Sequence, residues 1–354
     1  MSQLSNDEIQ RYSRQIVLPE IGVEGQELIK RSKVCIVGIG GLGSPVAQQL
    51  AGLGVGHLRL VDRDIVSLTD LHRQHLFSTK DIGRTKVEVA AEKLSELNPS
   101  INIEPLPVPI THYTVEGIVD GMDVIVDCMD SINARYLVNR ACLKKRIPYV
   151  YGAAIQTYGT AFTVLPNQSA CLECIYPGLN DTDLPRCAVA GVEPSILSIV
   201  AGVQVSEVLR IITKKRPLLI NDLLFIELSS LSFDHIKVKR RNECEACGDI
   251  QNIIIPRTEN SFEVGCARDG SGVYFITPTS PKKLDLARLS KKIKQMNNGR
   301  ITKSRFSIAF NVEKGIRLNI LETGVCIAQV EFPILDQRAI QSRLTTLYNA
   351  LTSN

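Results

Sequence analysis

The sequence predicts an α/β protein with a doubly wound, mostly parallel sheet, an antiparallel extension and a small α+β unit at the end. Three observations predict it. Short apolar runs alternate with helical segments between Val34 and Tyr151, the order of a parallel sheet covered on both faces. A glycine turn, Gly38-Ile39-Gly40-Gly41-Leu42-Gly43, joins the first run to a helix. Beyond Gly152 the pattern changes to an edge-like run, a long apolar helix and paired strands.

The elements follow in order. Residues 5–30 read as helical, with charges on one side. Residues 34–38 are a buried strand entering the glycine turn, 44–53 a helix and 58–62 a second strand. A helix over 84–97 stops at Asn98-Pro99, because proline cannot continue it. Strands at 101–106 and 124–127, a helix at 133–145 and a strand at 148–151 complete the alternation. Residues 161–165 read as an edge strand, a loop rich in Cys, Pro and Gly runs to Pro194, and 195–213 is a long apolar helix. Residues 223–231 and 235–239 read as antiparallel strands. From about Pro256 a separate unit reads as strands 261–264 and 273–276, helix 284–295, strands 306–311, 315–321 and 325–330, and helix 337–351. The expected division is 1–255 and 256–354, the second part being of a size that folds independently.

Composition narrows the class. With 354 residues, 44% hydrophobic and 22% charged, the chain can bury a sizeable core and is not a disordered one. A net charge of +4 is too mild to argue for nucleic acid. No apolar run approaches the ~20 residues of a membrane helix, and residues 1–30 lack a signal core. The expectation is a cytoplasmic protein with no membrane or nucleic-acid partner. In a reducing compartment its ten cysteines read as metal ligands or chemistry before disulfides.

The glycine turn fits G-x-G-x-x-G between strand and helix. Gly38 permits the tight turn, Gly40 lets backbone approach a phosphate, and Gly43 opens a helix whose N-terminus attracts anions. Asp62 ends the next strand, where a carboxylate grips ribose hydroxyls. By itself this pattern does not separate NAD from ATP, and a turn needed only for helix–strand packing would look the same.

The residues further along discriminate. Asp70-Leu71-His72-Arg73-Gln74, Gly83-Arg84-Thr85-Lys86 and Asp130-Ser131 all follow strand ends that a parallel sheet gathers over the glycine turn. An Arg, a Lys and an Asp on that edge suit a triphosphate, cations for the phosphates and an acid for Mg2+. Singly, Arg73 or Lys86 reads as a solvated surface charge and Asp130 as a helix cap. An NAD-dependent oxidoreductase with structural zinc, the competing reading, leaves these residues without a task.

With these elements in place the chain resembles the ubiquitin-activating-enzyme superfamily, and most of all the adenylyltransferases of molybdopterin synthase and thiamine biosynthesis. The resemblance covers roughly residues 5–250. It rests on Arg11-Tyr12-Ser13-Arg14-Gln15, Gly38 to Gly43, Asp62, Arg73-Gln74, Lys86, Asp130, Arg135 with Asn139, two Cys-x-x-Cys pairs, and Arg186-Cys187 before Gly191-Val192. It implies an enzyme that uses ATP to adenylate the C-terminal Gly-Gly carboxylate of a ubiquitin-like or sulfur-carrier protein. Gly41, Asp62, Arg73 and Lys86 would bind ATP, Asp130 would hold Mg2+, and Arg14 would reach the phosphates bound in the other subunit of a homodimer. Asp70 stands where the family usually has Asn, and an acid there weakens phosphate binding unless it is paired. That departure keeps an inactive carrier-binding scaffold open as a minor reading.

Cys171-x-x-Cys174 and Cys244-x-x-Cys247 supply four thiolates, the ligand set of a closed structural Zn2+ site. Cys35, Cys128 and Cys142 fall within strand or helix patterns and read as core. Cys187 sits beside Arg186, which favours a thiolate. The resemblance implies that such a cysteine takes the activated carrier, with a sulfur donor as the other acceptor.

Overall fold

The computed structural model describes residues 4–183, 190–257, 262–266, 272–280, 282–296, 301–313, 315–331 and 337–352. An eight-stranded sheet carries β1 (Lys33–Val37), β2 (His57–Val61), β3 (Asn102–Leu106), β4 (Val124–Asp127), β5 (Tyr149–Ile155), β6 (Tyr158–Val164), β7 (Asp222–Glu227) and β8 (Ser232–Lys237). Their order is β3-β2-β1-β4-β5-β6-β7-β8. The first five run parallel and the remainder antiparallel. Central strand β4 is buried at every position, which explains its unbroken apolar run, whereas edge strand β3 is half-exposed.

The helices are α1 (Asn6–Arg11), α2 (Ser13–Ile16), α3 (Gly22–Arg31), α4 (Gly43–Leu53), α5 (Lys86–Leu97), α6 (Val115–Val119), α7 (Ile132–Lys145), α8 (Leu172–Ile175) and α9 (Pro194–Ile212). Apolar residues of α3, α4, α5 and α9 fill one side of the sheet, and those of α6, α7 and α8 fill the other. From β1 the chain winds outward to β2 and β3, then returns to lay β4 on the opposite side of β1. That reversal opens a crevice at the C-terminal ends of β1 and β4. The glycine turn leaves β1 there, and residues 128–130 leave β4 there.

Several expectations are corrected. The single helix over residues 5–30 is three helices, because Tyr12 is buried as the cap of α1 and Pro19 breaks the chain before α3. The strand read as an edge is interior: β6 pairs with β5 and also with β7, a partner brought back by α9 from much later in the sequence. Short α6 was not expected. Helix α9 is long and apolar enough, by length and composition, to cross a membrane, contrary to the reading of the apolar runs. Its Ile196, Val200, Ala201 and Val208 are fully buried in the core beside β5 and β6, which accounts for that character.

A second sheet of six strands has the order β11-β12-β13-β14-β10-β9, all neighbours antiparallel. These are β9 (Phe262–Cys266), β10 (Gly272–Ile276), β11 (Ile301–Lys303), β12 (Ser307–Glu313), β13 (Ile316–Leu321) and β14 (Cys326–Val330). Three-residue β11 was not expected. Alternation along β13 sends Ile316, Leu318 and Ile320 into a core with α10 (Leu286–Met296) and α11 (Gln337–Thr352). Arg317, Asn319 and Leu321 take the other face, where Leu321, Val325 and Ile327 pack with Ile65. Arg63 pairs with Glu263 and lies 4.6 Å over the Phe275 ring, tying this sheet to the loop after β2.

Candidate nucleotide crevice and cysteine cluster

Sterics decide the glycine turn. Gly38 has φ +89°, and a Cβ there would lie 2.8 Å from the Cys128 carbonyl oxygen. A Cβ at Gly43 would lie 1.9 Å from the carbonyl oxygen of Gly38, so the turn and helix α4 close on each other. Gly41 backs onto Leu197 of α9, with 2.7 Å left for a Cβ. At Gly40 a Cβ would meet nothing nearer than the Gln74 amide at 3.9 Å, so backbone there borders open space. Helix α4 has no side-chain cap, but the Ser44 N–H is taken by the Gly40 carbonyl at 2.9 Å and Pro45 has none, so an anion would meet this end of the helix through the glycine turn before it. Asp62 accepts the Ile39 and Asp64 N–H groups, both at 2.8 Å, and is thereby fixed against the turn.

Burial pushes the Asp62 carboxyl up to about 6, against the pull of Lys86. Protonation turns one oxygen into a donor and weakens the carboxyl as an acceptor of ribose hydroxyls. ATP affinity is therefore expected to fall as pH drops through about 6, and Asp62→Asn is expected to flatten that profile in an equilibrium titration. The sign for folding is the reverse. A raised carboxyl binds its proton more tightly in the folded state, so its stabilising effect is present at low pH and is lost as pH rises through about 6.

The cations form one cluster. The segment after Gly83 runs beside the loop after β2, with Val66 N–H on the Arg84 carbonyl and Lys86 N–H on the Asp64 carbonyl, both 2.9 Å. This carries buried Lys86 to 3.3 Å from Asp64 and 3.7 Å from Asp70. Burial opposes its charge, but Asp64, Asp70 and Asp62 more than compensate and hold the ammonium protonated. Asp70 accepts Ser67 N–H and hydroxyl at 3.0 and 2.9 Å, the Gln74 amide at 2.8 Å and an Arg73 nitrogen at 3.4 Å. The acid that departed from the family pattern is thus paired, and it orients both Arg73 and Lys86.

Across the crevice, Ser131 caps α7 through the Ala134 N–H and donates to Asp181 at 2.8 Å, so its hydroxyl is committed. Asp130, one residue outside the helix, is exposed and has no hydrogen bond or ion pair among the described residues. Beneath it, buried Asp127 pairs with Arg135 at 3.3 Å and accepts Tyr149 OH. Arg135 also donates to the carbonyls of Met129 and Gly152, fixing the turn that presents Asp130.

Two fit tests favour bound groups. The buried side-chain oxygens Ser44 Oγ and Gln74 Oε1 have no partner among the described residues. Ser44 follows the glycine turn directly, and the Gln74 amide faces Gly40. Unpaired buried polar atoms are costly, so a polar ligand fits there. The four sulfurs of Cys171, Cys174, Cys244 and Cys247 lie within 4.8 Å of one another, with contacts of 3.9, 3.6 and 3.5 Å. Tetrahedral Zn2+ at about 2.3 Å from each sulfur implies separations of about 3.8 Å. Outside the sulfurs, Arg140 grips Glu173 at 2.6–3.2 Å and Asn139 donates to Glu173 at 3.2 Å, locking the first Cys-x-x-Cys turn to α7.

The structure brings Gly38, Gly40, Gly41, Gly43, Asp62, Asp70, Arg73, Gln74 and Lys86 to one crevice, with Asp130 at its β4 side. Arg14 stands apart. Its helix docks through Gln15 on the Leu53 carbonyl, at the far end of α4 from the glycine turn. The eleven residues of α4 make that about 16 Å. Arg186 and Cys187 lie outside the described residues. Cys35, Cys128 and Cys142 are buried in the core as expected. The sequence reading missed Asp64 and Ser44, and it did not find Asp127 as the partner of Arg135. An acid two residues past Asp62 was the available signal for Asp64. The others needed the fold.

Fold and crevice together define a doubly wound nucleotide-site protein with a four-cysteine cluster. The ThiF family profile matches residues 12–246, and the chain belongs to that family. It is 37% identical over 251 residues to the adenylyltransferase and sulfurtransferase MOCS3 of Culex quinquefasciatus, covering 70% of this chain but 57% of that protein. The chain thus spans little more than half the length of that relative. It is 35% identical to the SAMP-activating enzyme E1 of Haloferax volcanii (70% of this chain, 91% of that one). It is 36% identical to the sulfur carrier protein adenylyltransferase of Thermus thermophilus (69% and 93%). Among solved structures, E. coli MccB with ATP superimposes at TM-score 0.61 with 25% identity, covering 68% of this chain and 75% of MccB.

Proposed function

We propose that this chain is an ATP-dependent adenylyltransferase acting on the C-terminal glycine carboxylate of a ubiquitin-like or sulfur-carrier protein. The observation that carries the reading is the crevice with Arg73 and Lys86 oriented by acids on one side and unpaired Asp130 on the other. An oxidoreductase has no use for that arrangement. The names and activities of the MOCS3, SAMP-activating and sulfur-carrier relatives support the same class.

The carrier carboxylate attacks the α-phosphorus of ATP, the bond to the bridging oxygen of the β-phosphate breaks, and pyrophosphate leaves. No covalent help from the protein is required, so positioning and charge neutralisation are its contribution. Gly40 backbone and the N-terminus of α4 meet the phosphates, Asp62 takes the ribose, and Lys86 and Arg73 face the charge that develops. Asp130 would hold Mg2+, which when bound offsets phosphate charge. The position of Arg14 at the far end of α4 fits a role toward the crevice of a second subunit, hence a homodimer. The cysteine cluster would hold a structural Zn2+. Residues 256–354 are then an accessory unit. Cys187 or an external sulfur donor would displace AMP.

The test is mass spectrometry of a Gly-Gly carrier after incubation with ATP and the full chain. A carrier bearing one AMP is expected. An unmodified carrier, with NAD bound in preference to ATP, would contradict the reading.

A further inference from the structure

We infer that the cleft between the two sheets is a second ligand site, built for a small, multiply charged anion of the phosphate or polycarboxylate type. The cavity holds about 450 Å3, within the range of small-molecule sites. One wall is the turn before α5, with Lys80, Gly83 and Arg84. The other is formed by β11–β13, with Lys303, Arg305 and Arg317.

Five basic side chains therefore line the cleft against one acid, Glu88. That acid is already engaged, with Arg84 at 3.1 Å and the Arg305 backbone N–H at 3.1 Å. Arg84 is also held by Glu92. Lys303, Arg305 and Arg317 have no acidic partner among the described residues, and Lys80 feels only Glu92, which Arg84 already holds. Gathering unpaired like charges costs free energy that a bound anion recovers.

The fold explains why there is room. Strand alternation puts Arg317 and Asn319 on the face toward the first sheet, and their register sets Ala309 opposite Asn319 and Ser307 opposite Leu321. Small side chains at 307 and 309 leave the floor open, and the wall also carries the Thr302 hydroxyl and the Ser304–Ser307 hydroxyl pair, joined at 3.0 Å. Asn319 donates to the Gly83 carbonyl at 2.9 Å and pins the walls together. A Cβ at Gly83 would approach an Arg317 nitrogen to 3.2 Å, so the bare backbone lets Arg317 sit at that wall. Neither the glycine turn nor Asp62, Arg73 or Asp130 lines this cavity. A partly open cleft of this volume, with a buried floor at Ser307 and Ala309, suits a compact ligand.

The test is equilibrium titration of the full chain with inorganic tripolyphosphate and, separately, citrate. With the glycine-turn crevice saturated by a non-hydrolysable ATP analogue, at least one probe is expected to bind, and binding is expected to weaken tenfold or more in Arg305→Ala/Arg317→Ala while changing less than twofold in Lys239→Ala, an exposed residue just past β8 at the other edge of the first sheet. Which probe binds tells phosphate from carboxylate preference. Exposed Lys303→Glu, which disturbs no packing, is expected to show the same loss and so separates charge from misfolding. Failure of both probes, binding that survives in the cleft variants, or binding only of an oligo-glutamate peptide would overturn the inference.

Discussion

Replacing Asp130 with Ala is expected to lower carrier-dependent adenylation by on the order of 10²–10³-fold while leaving the melting temperature unchanged. The magnitude is that of removing one group that stabilises charge developing in a transition state. The selectivity follows from exposure. Asp130 caps nothing, because Ser131 does that, and it holds no ion pair among the described residues, so its loss breaks no structural contact. Arg135→Met makes the contrast. It leaves Asp127 buried without its counter-charge, and is expected to cost about 3–5 kcal/mol of stability in denaturant titration. An Asp130→Ala protein of full activity would remove the acid from the mechanism.

The second large effect concerns the cysteines. Structural zinc in small domains contributes on the order of 10 kcal/mol of apparent folding energy, comparable to a domain's whole stability. The cluster joins the segment after β6 to the segment after β8, 73 residues apart in the sequence, and both pack into the core under α7. Cys247→Ser is expected to abolish stoichiometric zinc in metal analysis and to lower the melting temperature by about 10 °C or more, since each kcal/mol moves a domain of this size by about 2–4 °C. A wild-type protein free of zinc, or a variant melting with it, would refute the structural role.

Much of this was legible in the residues. The alternation of apolar runs and helices gave the parallel, doubly wound class and the place of each strand in the chain, since a doubly buried strand must read as a continuous apolar stretch, but not the order of the strands in the sheet. The glycine turn, Asp62, Arg73, Lys86 and both cysteine pairs were identifiable because their chemistry constrains residue type locally. What escaped depended on partners distant in sequence. β6 was taken for an edge because its neighbour β7 arrives only after α9. Asp70 read as an anomaly until the fold set it against Lys86, Arg73 and Gln74. The Asp127–Arg135–Tyr149 cluster spans two strands and a helix, and no spacing rule announces it. Residues 5–30 failed differently. Their helical periodicity was real, but the burial of Tyr12 and the break at Pro19 divide it.

The central claim is that the crevice turns a carrier carboxylate and ATP into acyl-adenylate and pyrophosphate. The most direct measurement is exchange of labelled pyrophosphate into ATP by the full chain, with and without a small carrier ending in Gly-Gly. Exchange that requires the carrier, and vanishes when its terminal Gly is removed, is the predicted result. No exchange with any Gly-Gly carrier, or exchange indifferent to the carrier, would contradict it.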